Sequence, residues 1–99
     1  MTKRAGARLE RYTIRCPDEV LIVTAEVNGE LDQVMIFKGF SSSLMRPTDA
    51  NPDVPILPES ANILYIDRLR GPYTPASPHY LEQGISWEVM QQRLTDMGE

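Results

Sequence analysis

The chain is poor in the side chains that most often carry chemistry. Its 99 residues include one cysteine, Cys16, and one histidine, His79. A single thiol excludes an intramolecular disulfide and fits a reducing compartment, which leaves an intermolecular bridge as the only oxidised arrangement. One Cys and one His also fall short of the four nitrogen and sulfur ligands of structural zinc. The acids Asp49, Asp53 and Glu59 lack the spacing of an EF-hand. No metal and no other cofactor is therefore expected. No run of about 18 apolar residues occurs, so no membrane insertion is expected. Residues 1–10 are charged and lack the apolar core of a secretory signal. Neither a P-loop spacing nor an evident pair of carboxylates is present. These absences together predict a protein that is not an enzyme.

The charge that is present is uneven. The net charge of −4 argues against nucleic-acid binding through a global field. Yet Lys3, Arg4, Arg8, Arg11 and Arg15 put half of the ten basic residues into the first fifteen positions, where Glu10 is the only acid. Residues 1–8 read as a flexible basic arm before a single α+β domain over 9–99. Such an arm is either a solvated start or a contact for phosphate or an acidic partner.

The strongest local signal is Asn28-Gly29 between two alternating runs, a hairpin from Glu19 to Phe40. Pairing Val27 with Glu30 sets Val23 against Val34, Leu21 against Ile36 and Glu19 against Lys38. Leu9 to Cys16 alternates like a strand, with Pro17-Asp18 as the next turn. Three strands then share one apolar face: Tyr12, Ile14, Leu21, Val23, Val34 and Ile36. The opposite face (Val20, Ile22, Met35 and Phe37) is also apolar and needs its own cover. Pro47, Pro52, Pro55 and Pro58 exclude regular structure after Phe40, while Val54, Ile56 and Leu57 predict a loop lying against the body. Ala61 to Leu69 reads as a fourth strand, with Asp67 expected to pair with Arg68, Arg70 or Arg46. Residues 71–78 are irregular. Ser86 caps a final helix from Trp87 to Met97, whose stripe is Trp87, Met90, Leu94 and Met97, with Gly98 at its end. The fold expected is α+β: a curled antiparallel sheet of about four strands with a C-terminal helix, an SH3-like or PH-like barrel being the natural variant.

Three binding surfaces compete. Lys38, Phe40, Ser42, Met45, Arg46, Arg70, Tyr73 and Tyr80 combine cations with the aromatic and Met side chains that dominate protein interfaces. They would dock the domain on a larger protein assembly, with a homodimer as another cover for the second face. A nucleic-acid reading gathers Lys3, Arg4, Arg8, Arg11 and Arg68 with Lys38, Arg46 and Arg70 into one patch. An anion-binding reading centres on Ser41 to Arg46, where the bland alternative is serines satisfying their own backbone. Cys16, at a predicted strand end, reads as a small buried side chain and not as a nucleophile.

Two blocks, Val34 to Thr48 (VMIFKGFSSSLMRPT) and Ile66 to Tyr73 (IDRLRGPY), together with the Trp87 helix, resemble a family of small uncharacterised cyanobacterial proteins with chloroplast relatives. The resemblance extends from Leu9 onward. It implies a setting, the cyanobacterial cytoplasm or plastid stroma, in the service of photosynthetic complexes or plastid gene expression. It carries no catalytic residue and no mechanism.

Overall fold

The computed structural model describes residues 5–27, 29–44, 61–71 and 76–98. Its centre is the expected hairpin, β1 (Glu19–Val27) and β2 (Glu30–Phe37), with Val27↔Glu30, Val23↔Val34 and Leu21↔Ile36 paired as the turn requires. Gly29 stands at φ 81, where a side chain would be strained. The register places Val20 against Phe37. Glu19 does not answer Lys38, which belongs to the next turn. β1 is a central strand, and the other neighbour of Glu19 is Arg70 of β4 (Asn62–Arg70).

Five antiparallel strands lie in the order β3-β2-β1-β4-β5, with β3 at Phe40–Ser43 and β5 at Tyr80–Ile85. The fold is α+β, and the sheet is open: its edges, β3 and β5, are not joined to each other as a barrel requires. Both edge strands escape the sequence pattern, because β3 is four residues of Phe and Ser and β5 is broken by register shifts and by Gly84 at φ 68. Among the described residues Asp67 pairs with neither Arg68 nor Arg70, and Arg46 lies outside them; its Oδ1 accepts the Gly84 N–H at 2.8 Å and fixes that irregularity.

The largest correction is at the N-terminal end. Residues Ala5–Arg15 form a helix, α1, in place of a strand and of the last part of a loose arm. Leu9, Tyr12, Thr13 and Cys16 stand at i, i+3, i+4 and i+7, which is one helical face, and Leu9, Tyr12 and Thr13 are buried. The alternation of Tyr12, Ile14 and Cys16 fits both periods. Burial decides between them, since Ile14 is 61% exposed. Pro17 then ends the helix. Thr13 is satisfied inside: its Oγ1 donates to the Glu10 carbonyl at 2.7 Å and accepts the Gly39 N–H at 2.9 Å.

The C-terminal helix, α2 (Trp87–Asp96), follows expectation. The Ser86 Oγ accepts the Val89 N–H, Met90 and Leu94 are buried, and Gly98 follows at φ 82. Both helices pack on the same sheet face, into a core of Leu9, Tyr12, Leu21, Val23, Val34, Ile36, Ile66, Met90 and Leu94. Val20, Ile22 and Leu69, with Met35 and Phe37 against them, form a second cluster to which neither helix contributes. The proline-rich stretch, residues 45–60, which is one of the covers open to this face beside a second chain, lies outside the described residues.

Candidate functional site

The register builds one transverse row on the helix-free face. Phe40 pairs with Phe37, Phe37 with Val20, Val20 with Leu69, and Leu69 with Tyr80, one residue per strand. At the usual spacing of strands the row spans about 19 Å. Its middle is buried, whereas Phe40 is 78% exposed at one end and Tyr80 44% exposed at the other. Ser42 and Met35 follow in the next row, and Leu44, also exposed, donates its N–H to the Gln33 carbonyl beyond them.

Local chemistry fixes this end of the sheet. Lys38 at φ 50 and Gly39 at φ 85 make the tight turn between β2 and β3. A Cβ on Gly39 would stand 2.9 Å from Ile14 of α1, so the turn sits against the helix. The Lys38 ammonium lies 5.2 Å from the centroid of the Phe37 ring, within cation–π range. Phe37 in turn covers Gly71, where an added Cβ would come within 2.8 Å of the ring. Gly71 donates to the Asp18 carbonyl at 2.7 Å, and Arg70 to the His79 carbonyl at 2.8 Å. Lys38, Phe40, Arg70 and Tyr80, named from sequence in two separate segments, thus share one end of the sheet. Met45, Arg46 and Tyr73 lie outside the described residues.

The other two candidate surfaces fare differently. Ser41 donates to the Glu10 carboxylate at 2.7 Å and Ser43 to the Asp32 carboxylate at 3.2 Å. Hydroxyls aimed at carboxylates are not offered to an anion, which weakens the serine site. Arg68 does not join a basic patch. Its Nε donates to Glu19 at 2.7 Å and its Nη1 to Glu82, which Arg93 grips with both terminal nitrogens at 2.7 and 2.9 Å. Arg8 and Arg11 are on α1, and Lys3 and Arg4 lie outside the described residues.

That ion chain runs from α1 through the sheet to α2, and the sequence did not announce it. Tyr12 donates to Glu19 at 2.8 Å. Burial opposes ionisation of Glu19, but the Arg68 guanidinium and the Tyr12 hydroxyl outweigh it and hold the carboxyl below its usual range. Burial, reinforced by the bond to Glu19, pushes the Tyr12 phenol up. Glu19 in return raises Arg68, while the bond from Arg93 lowers Glu82. Cys16, half-buried beside Tyr12 and Glu19, is pushed up by burial and by the Glu19 charge, toward an inert thiol and away from a nucleophile. Among the described residues no group of three or more His, Cys, Asp and Glu could hold a metal ion. No helix among them is long and apolar enough to cross a membrane.

The architecture is thus an open five-stranded antiparallel sheet with two helices on one face and an aromatic-ended row on the other. The chain belongs to the DUF7734 family, a domain of unknown function, which matches residues 6–94. No curated protein and no solved structure matches the chain.

Proposed function

We propose that this domain is a non-enzymatic interaction module that docks on a larger protein assembly through the helix-free end of its sheet. The observation that carries the reading is the row Phe40–Phe37–Val20–Leu69–Tyr80, whose buried middle holds two exposed aromatic ends on separate edge strands. Aromatic side chains set in a rigid, well-packed frame are what protein hot spots are made of, because they bring large apolar area at low entropic cost. Lys38 and Arg70 at the same end add charge for orientation and on-rate. The setting implied by the block resemblance is the cyanobacterial cytoplasm or plastid stroma, with photosynthetic complexes as the assemblies served.

The test is affinity purification of the tagged chain from its native host at low and high salt, beside a Phe40→Ala/Tyr80→Ala variant. A stoichiometric protein partner that survives high salt and is lost with the variant is the expected result. A partner retained equally by the folded variant would overturn this placement. Nucleic acid lost at high salt, without a protein, would move the function to the basic residues.

A further inference from the structure

We propose that the partner of the docking surface is acidic where it lands on the β2–β3 turn: one of its carboxylates meets the Lys38 ammonium while apolar side chains beside it cover Phe40. The carboxylate belongs to the protein assembly proposed above, so this contact exists only if that assembly does. Lys38 stands at φ 50, in the left-handed region that L side chains rarely enter. It occupies the first central position of a two-residue turn, where Gly, Asn and Asp are the usual choices. In sequence the β1–β2 turn makes that choice, with Asn28 before Gly29. A lysine at 38 strains the backbone, and strain of this kind collects at functional positions.

The turn is held firmly in spite of it. The Gly39 N–H donates to the Oγ1 of buried Thr13, and the Gly39 backbone lies against Ile14, so α1 fixes the base from which the lysine projects. A side chain presented from a fixed base loses less freedom on contact. The ammonium itself has only the Phe37 ring, 5.2 Å from its centroid. Among the described residues Lys38 forms no ion pair, whereas Arg68 and Arg93 are both tied to Glu82. The Phe37 ring packs with the cluster of the helix-free face, so the ammonium stands on the face of the aromatic row, next to the exposed Phe40. An exposed, unpaired cation beside exposed apolar area fits a carboxylate flanked by apolar side chains. A polyanion tracking the surface would meet exposed Asp18, whose carbonyl takes the Gly71 N–H under Phe37, and a net charge of −4. A single carboxylate needs only the ammonium.

The experiment captures the assembly with the tagged full chain at low salt and treats it with a carbodiimide. The reagent activates a carboxylate, and an amine in contact with it displaces the activating group and forms an amide. The chain has two lysines, Lys3 and Lys38, so the joined peptides assign the contact. An amide between Lys38 and an Asp or Glu of the captured protein is expected, with capture weakened about tenfold in Lys38→Asn and kept in Lys38→Arg. Asn enters the left-handed region readily, so Lys38→Asn should melt within about 5 °C of wild type or above it. Capture abolished by Phe40→Ala/Tyr80→Ala but unchanged in Lys38→Asn, with no amide at Lys38, would overturn the carboxylate contact and leave the docking surface standing. No captured protein, or a protein that the folded Phe40→Ala/Tyr80→Ala variant retains, would overturn the docking surface and this contact with it. A melting temperature lowered by more than about 10 °C in Lys38→Asn would make the lysine a structural residue and overturn the proposal as well.

Discussion

The two faces of the sheet are built on different principles. The helix side is closed by burial and polar ties: two helices set Leu9, Tyr12, Met90 and Leu94 onto Leu21, Val23, Val34, Ile36 and Ile66, and the Tyr12–Glu19–Arg68–Glu82–Arg93 chain fastens the layers. The other side has a small cluster of Val20, Ile22 and Leu69, with apolar surface left over at the rim. One face holds the larger buried core, and the other keeps apolar side chains exposed at its rim. A side chain's neighbours in the sheet therefore say less about its role than the face it points to.

Substitutions that cross this divide should separate the faces most sharply. Leu21→Ala or Ile36→Ala, both fully buried in the core that the two helices share, should lower unfolding free energy by about 2–5 kcal/mol in urea titrations. Arg68→Met leaves Glu19, at 17% side-chain exposure, without its cation in a half-buried setting. It should cost about 2 kcal/mol, and the double change with Glu19→Gln should recover part of that. Ser86→Ala removes the cap of α2 and should cost about 1 kcal/mol, read from the same midpoints. Phe40→Ser and Tyr80→Ser should change stability by less than about 0.5 kcal/mol while abolishing partner capture. A large loss of stability from Phe40→Ser would erase the distinction between the faces.

Acidity probes the helix side alone. The Glu19 carboxyl is lower in the folded protein than in the unfolded chain, so the folded state binds fewer protons there. Its contribution is fully present above the unfolded carboxylate value of about 4.3 and disappears as pH falls through the folded value. Stability should therefore decline below about pH 5, less steeply in Glu19→Gln. Tyr12 works with the opposite sign: its raised phenol contributes below the unfolded value of about 10, and that contribution is lost as pH rises beyond it. Urea midpoints across pH for wild type and Tyr12→Phe check both limbs.

Legibility followed signal redundancy. The β1–β2 register could be read because a turn and a period-two pattern agreed, and α2 because a cap, an apolar stripe and a terminal glycine agreed. At α1 one period masked another, since Tyr12, Ile14 and Cys16 satisfy a strand while Leu9, Tyr12, Thr13 and Cys16 satisfy a helix. The hairpin alone sets Glu19 against Lys38 because it shows one neighbour of a strand, and β1 has two. Of the candidate site, Lys38, Phe40, Arg70 and Tyr80 were visible as types of side chain. The row joining two of them was not, because it depends on strand order, which Ser-rich β3 and irregular β5 conceal.

The position of β1 also has a kinetic side. It is the first strand in the chain and the middle strand of the sheet. With β2 and β3 it makes a meander whose pairings join near neighbours in sequence, and such pairing closes only short loops. Attaching β4 to its other edge closes a much longer one. The meander should form early and β4–β5 should lock on late, so amide exchange should be slowest in β1, the only strand both halves hold in place.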